Sequence, residues 1–173
     1  MELKIKFVRL TKDKINQMLE VKKQCWQETY TGIYPDDLLI NFDNERHYNK
    51  ALQYLNKEKC FPYLVIIKNK IIGYFTFSIK ENSPLYNLYL DGLYIDNIYL
   101  LKSFQKLGIG KKIFNYLVKF AKKNNINKIY NCCNFYNENA KNFYKKMGGK
   151  IIYEDVNYEN KQEDQLLYLY NIK

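Results

Sequence analysis

Apolar and polar residues alternate from Glu2 to Leu10 around Leu3, Ile5 and Phe7, the two-residue period of a half-buried strand. After Thr11, an N-cap by residue type, the period changes. Ile15, Met18, Leu19, Lys22 and Cys25–Trp26 recur at helical spacing until Gly32 and Pro35 open a loop. Asp36 or Asp37 can cap a second helix running through Leu38 to Leu55, whose polar middle around Asn41-Phe-Asp-Asn-Glu invites a break. Phe61–Ile67 and Ile71–Ile79 are β-branched apolar runs either side of the short polar turn Lys68–Lys70, which is a hairpin pattern. Lys80–Pro84 is expected to be a loop. Leu88–Leu101 is a long strand-rich stretch with Asp91–Gly92 as a turn or bulge inside it.

The next helix carries Ile113, Phe114, Leu117, Val118 and Ala121 on one face and ends at Asn124–Asn125. Lys128–Cys133 reads as a strand. Asn137 begins a short helix with Ala140, Phe143, Tyr144 and Met147 on one stripe, and Gly148–Gly149 ends it. Ile151–Tyr153 and Gln165–Tyr170 are closing strands. The order is β-α-α-β-β-β-α-β-α-β-β. Early hairpins followed by a βαβ crossover give an α+β fold, a mixed, mostly antiparallel sheet flanked by helices. A doubly wound nucleotide fold would alternate strand and helix from the start. No linker or repeat interrupts the pattern, so residues 1–173 are expected to form a single domain.

Composition narrows the function. With 47% apolar and 17% aromatic residues the chain can bury a core. No apolar run approaches the roughly 20 residues of a membrane span, and the charged, alternating N-terminus is no signal peptide. A cytoplasmic protein without membrane contact is expected. The formal charge of +10 favours an anionic partner, but the lysines are dispersed, which argues against nucleic acid. The four cysteines, at 25, 60, 132 and 133, form no Cys-x-x-Cys pair and lie far in sequence from the single histidine, His47. No metal site is expected.

The strongest local signal is Gln105-Lys106-Leu107-Gly108-Ile109-Gly110-Lys111, between the strand-like run ending at Leu101 and the helix that follows. Free N–H groups at a helix start, the helix dipole and glycines that admit φ > 0 make an anion site, suited to a phosphate-bearing ligand. A dinucleotide fingerprint fails because position 113 is Ile, and a P-loop fails because Lys112 follows Gly110-Lys111 and no glycine occupies position 105.

Downstream lies Asn137-Glu-Asn-Ala140-Lys-Asn-Phe143-Tyr144-Lys-Lys-Met-Gly148-Gly149. Together the two segments resemble the GCN5-related N-acetyltransferase (GNAT) superfamily, with its Gln/Arg-x-x-Gly-x-Gly/Ala turn and later Asn-x-x-Ala-x-x-Phe/Leu-Tyr helix. The resemblance covers about residues 60–155 well. It implies acetyl-CoA as acetyl donor. Its pyrophosphate would sit on the N–H groups of Lys106, Leu107, Gly108, Ile109, Gly110 and Lys111, with Gln105 also in the cofactor site and charge added by Lys106, Lys111 and Lys112. Its pantetheine arm would pair with the strand edge Ile98-Tyr99-Leu100. The Leu100 N–H would polarise the thioester carbonyl. The family spacing of seven residues before the tyrosine selects Asn137 over Asn139 as the cofactor contact. Tyr144 becomes the general acid for the departing thiolate, although one of 18 tyrosines at a helical core position also suits packing.

The resemblance extends to the acceptor. Asp96, four residues before Leu100 and on its face, is the candidate base. Asp91, Glu28 or a water chain stay open. The pocket in this family is built from the first two helices and their loop, which here offer Trp26, Glu28, Tyr30 and Tyr34. The expected reaction is acetyl transfer to the amine of a small molecule (polyamine, antibiotic or amino acid) or of a protein N-terminus. The other readings are transfer of a different acyl group and a degenerate CoA-binding sensor. A homodimer through the C-terminal strands is open, as in many relatives.

Overall fold

The structure, a computed structural model, describes residues 4–172. Glu2 and Leu3 of the expected first strand therefore lie outside the described residues, and the rest of it forms as β1 (Ile5–Arg9). Thr11 precedes a 3-10 turn, Lys12–Lys14, that leads into α1 (Ile15–Tyr30). Thr11 is thus the N-cap of the 3-10 turn and not of α1, and it makes no side-chain capping bond. The expected second helix is two, α2 (Asp36–Ile40) and α3 (Asn44–Asn56). The break falls in the polar middle. There Asp43 caps α3 by accepting the Arg46 N–H at 2.9 Å, while Phe42 turns inward. Neither Asp36 nor Asp37 caps α2. Pro35 takes that position, and both acids lie in the first turn, where they complement the helix dipole.

β2 (Cys60–Ile67) and β3 (Lys70–Leu85) are joined through Lys68 and Asn69. Their φ angles of 48° and 64° are the two left-handed positions of a type I′ hairpin turn. The loop expected at Lys80–Pro84 is strand instead, since β3 runs on to Leu85 and β4 (Leu88–Leu100) begins after the two turn residues Tyr86 and Asn87. Leu85, Tyr86 and Leu88 at the hairpin tip pack against Leu90, Tyr130 and Leu167. Those apolar contacts extend the pairing across a polar stretch that propensity alone would leave as loop.

The chain continues through α4 (Ile109–Lys123), β5 (Lys128–Asn134), α5 (Glu138–Lys146), β6 (Lys150–Asp155) and β7 (Gln165–Asn171). The strands run in the order β1-β2-β3-β4-β5-β7-β6. β4 and β5 are parallel; β1 with β2, β5 with β7 and β6 with β7 are antiparallel. The expected mixed, mostly antiparallel fold is what forms.

Packing divides the chain into two units, Met1–Phe77 with Asn97–Gly110, and Ser78–Asp96 with Lys111–Lys173. In the first, Ile15, Met18 and Leu19 of α1 and Ala51 of α3 close on Leu64 and Tyr74 of the strands. In the second, Ile113 and Leu117 of α4 are fully buried, and Phe114 lies 4.8 Å from the ring of Tyr170. Each fully buried aliphatic side chain of this kind contributes about 1.5–3 kcal/mol. Among the described residues no helix is long and apolar enough to cross a membrane, and no group of three or more His, Cys, Asp or Glu could hold a metal ion. The four cysteines are free thiols, three of them buried.

Gly92, where the sequence suggested a turn or bulge, lies inside the continuous strand β4. Its φ is 150°, and a Cβ there would come within 2.5 Å of the Lys128 carbonyl oxygen on β5. The clash is with backbone, so relief requires the strands to part. Gly92→Ala should lower unfolding free energy by about 2–4 kcal/mol, read by urea denaturation. A loss below half a kilocalorie would show that β4 and β5 separate freely there.

Candidate active site

The candidate residues fall into two groups, one in each unit. The first begins at the end of β4. Leu101 N–H donates to the Ile72 carbonyl of β3 at 3.0 Å. Successive N–H groups along a strand point to opposite edges, so the Leu100 N–H is turned away from β3. Gln105 folds back so that its Nε2 donates to the Leu100 carbonyl at 2.9 Å. Between them a 3-10 turn, Lys102–Phe104, closes with Phe104 N–H on Leu101 O at 2.8 Å. The chain then passes through left-handed Lys106 and Gly108, with φ of 59° and 78°, into α4.

Ile109, 1% exposed, anchors the first residue of that helix. The first N–H groups of α4 have no acceptor within the helix. A Cβ on Gly108 would meet nothing within 4 Å, so glycine serves the backbone angle there and the cradle opens to space. Lys106, Lys111 and Lys112 are exposed around it. Outward N–H groups, a helix dipole and three lysines suit an extended polyanion such as the pyrophosphate of CoA.

The predicted pocket residues of α1 come together in the same unit. Tyr30 and Tyr34 stack at 4.1 Å, and Trp26 meets both edge-on at 5.9 and 5.8 Å. Burial raises the Tyr34 phenol above its ordinary value. The Tyr30 and Tyr99 hydroxyls lie 3.0 Å apart. Tyr99, expected to offer only backbone, therefore joins this aromatic cluster through its side chain. The Glu28 carboxylate accepts the Lys102 N–H at 2.8 Å and the Gln24 Nε2 at 2.9 Å. It ties α1 to the 3-10 turn that carries the glycine loop.

Sequence reasoning passed over four further residues here. The Trp26 ring also meets His47 at 4.9 Å, and His47 stacks on Phe42 at 4.3 Å. Lys22 Nζ lies 2.8 Å from His47 Nδ1. Burial, reinforced by Lys50 and Arg46, brings the Lys22 ammonium down from 10.5 to about 7. Burial, then Lys22, brings His47 down from 6.5 to about 4. Asn97, on β4, lines the same cavity. The available signal was Lys22 itself, a lysine on the apolar stripe of α1.

The second group lies in the other unit. Asp96 Oδ2 accepts the Ser78 hydroxyl at 2.9 Å. The β4–β5 ladder pairs Leu93 with Ile129, Tyr94 with Tyr130 and Ile95 with Asn131; β4 runs on from Asp96 to Leu100 beyond these pairs. Asn137 caps α5, its Oδ1 accepting the Ala140 N–H at 3.1 Å, which leaves Nδ2 for any ligand contact. Tyr144 is 7% exposed, with its ring 5.7 Å from that of Tyr168. Burial lifts Tyr168 to about 12. The connection before α5 is held by buried Asp164, which accepts the Tyr136 hydroxyl at 2.9 Å and the Asn157 N–H at 3.0 Å.

Residues 15–149 match the Acetyltransferase (GNAT) family. An uncharacterized N-acetyltransferase from Lactobacillus delbrueckii subsp. lactis is 24% identical over 145 residues, 83% of each chain. The fold superposes on PaiA N-acetyltransferase from Thermoplasma acidophilum, solved in complex with coenzyme A. The TM-score is 0.77 at 20% identity, covering 98% of this chain and 99% of that one. A GNAT-family acetyltransferase from Staphylococcus aureus Mu50 gives a TM-score of 0.72, also at 20% identity, with the same coverage. The chain belongs to the acetyltransferase (GNAT) family, whose acyl donor is acetyl-CoA.

Proposed function

We propose that this chain is an N-acetyltransferase that moves the acetyl group of acetyl-CoA to an acceptor amine by direct attack, with both substrates bound together. The observation that carries this reading is the Leu100 N–H, turned away from β3 by the Leu101–Ile72 bond, just ahead of the open glycine cradle. A strand edge with an outward donor, followed by a helix-start anion site, is what a long thioester with a pyrophosphate tail requires.

Acetyl-CoA supplies the activated acyl group. The chain's residues bind, orient and move protons. The N–H groups of Lys106 to Lys111 hold phosphate oxygens, while the Gln105 N–H is committed to the Lys102 carbonyl. Ile98, Tyr99 and Leu100 offer the strand edge, and the Leu100 N–H faces the carbonyl oxygen on which negative charge develops. Asn137 steadies the cofactor through Nδ2. Tyr144 gives a proton to the leaving sulfur, and Asp96, oriented by Ser78, draws the proton from the amine directly or through water. Trp26, Tyr30, Tyr34 and Tyr99 wall the acceptor pocket. Glu28 positions the loop through Lys102.

Calorimetric titration with acetyl-CoA and CoA should show micromolar binding in the wild type and none in Gly108→Trp, whose side chain fills the cradle. Absence of binding in folded wild type would sink the transferase reading. Tyr144→Phe should cut turnover about 100-fold while CoA affinity stays within about twofold of wild type. Equal losses in both would make Tyr144 a packing residue.

A further inference from the structure

Residues of α1, α3 and the strands of the first unit line a small cavity of ≈ 310 Å³, its open mouth included. Its polar lining comprises Lys22, His47, Lys50, Tyr54, Tyr74, Thr76 and Asn97. Two of these are orphaned. The Tyr74 hydroxyl and Asn97 Oδ1 are buried without a hydrogen-bond partner, and Tyr74 is only 5% exposed. A buried polar atom left unmet costs about 1–3 kcal/mol, so a pair of them facing one cavity points to a missing guest.

The chemistry of the guest follows from the lining. Lys22, His47 and Lys50 are the ionisable nitrogen groups, and no aspartate or glutamate is present among the lining residues. A cationic amine chain would meet like charge here, whereas a carboxylate would meet the Lys22 amine and the Tyr74 hydroxyl. Asn97 Oδ1 is an acceptor and calls for an N–H donor. Donor and acceptor must sit within one small space. A carboxylate with an amine beside it meets both demands, and Asn97 stands three residues before Leu100 on β4.

We propose that this cavity is the carboxylate subsite for the acetyl acceptor, and that the acceptor is a free amino acid. Lys22 and Tyr74 hold its carboxylate, and Asn97 Oδ1 accepts from its amine. This rests on the transferase reading above. In the reaction the amine nitrogen bonds to the acetyl carbon as the carbon–sulfur bond breaks. Of the two protons the ammonium loses, one ends on the CoA sulfur and one in solvent. Polyamines are excluded by charge, and aminoglycosides and protein N-termini by the absence of a carboxylate next to the amine.

Lys22 gives the site a pH signature. The groups facing it are Arg46, His47, Lys50 and Tyr54 of α3 and Tyr74 of β3, with Asp43 beside His47. A bound carboxylate favours the ammonium form, so binding draws a proton to Lys22 when pH exceeds about 7. Affinity then falls by up to about tenfold per pH unit. Stability of the free protein moves the other way. The unfolded chain holds the Lys22 proton more tightly, so stability rises as pH climbs from about 7 toward 10.5. Lys22→Met should lose that component of the slope.

The test is calorimetry on the full chain, with and without CoA, using the twenty amino acids, their carboxamides and spermidine. At least one amino acid should bind at least about tenfold tighter than its own carboxamide, with proton uptake seen by comparing two buffers at pH 8. Lys22→Met should erase that preference. Tyr74→Phe should weaken the acid several-fold while leaving the free protein as stable as wild type or more so, because it removes an orphaned hydroxyl. Equal binding of acid and amide, tighter binding of spermidine, or no amino acid binding at all would overturn the proposal and leave the cavity to ordered water. Acetyl-CoA binding is scored separately. Its failure alongside amino-acid binding would strike the transferase reading and not the carboxylate site.

Discussion

Two places where β4 lies too close to its neighbours for any side chain set the constraint on which the candidate site depends. On β3, a Cβ at Gly73 would come within 2.3 Å of the Tyr99 carbonyl and 2.6 Å of the Leu100 side chain. On β4 itself, a Cβ at Gly92 would strike the Lys128 carbonyl. The nearest contact at each place is to backbone, which cannot swing aside as a flexible side chain can. The register of β4 is therefore held near each end, and with it the direction of each N–H along the strand. Leu100 serves as an outward donor only because Leu101 is committed inward to Ile72. A slip by one residue would exchange the two roles.

The loop after β4 is tied down with equal economy. Gln105 returns to the Leu100 carbonyl, and Glu28 accepts the Lys102 N–H. These bonds leave the N–H groups at the start of α4 as the outward donors of the segment. Glu28 does more than its type announces: one carboxylate oxygen accepts the Lys102 N–H of the loop, and the other accepts the Gln24 amide within α1.

Much of this was legible in the chain because periodicity and turn chemistry agreed. The α4 stripe of Ile113, Phe114, Leu117 and Ala121 is buried as the spacing required. Asn137 caps α5 as its type allowed. The misses have physical reasons. Lys80–Pro84 reads as loop by composition, and tertiary packing of Leu85, Tyr86 and Leu88 makes it strand. Asp43, inside a polar run, was a stronger cap than Asp36 or Asp37 because Pro35 already set the start of α2. Within the candidate site, Tyr99 was seen for its backbone alone, since nothing local announces a hydroxyl contact with Tyr30, 69 positions away. Asp164 was silent for the same reason; its partners Tyr136 and Asn157 are gathered only by the fold.

Lys22 is where sequence and structure together say more than either does alone. A lysine on an apolar helical stripe can reach past the core and leave its charge in water. Here the half-buried head group lies against His47 and 5.2 Å from the centre of the Trp26 ring, with two further cations near and no carboxylate lining its cavity. Core packing alone would be better served by methionine or leucine, because burying an unbalanced ammonium opposes folding. Nor does the hydrogen bond to His47 offset it, since both partners are driven toward their neutral forms by the same burial. The proposed guest would supply the negative charge that this ammonium lacks, in a cavity that also holds an orphaned hydroxyl and an orphaned amide oxygen. The net charge of +10, which dispersed lysines had made uninformative about partners, acquires meaning at this one place. The surrounding cations favour an anion over a cation as the occupant of this cavity.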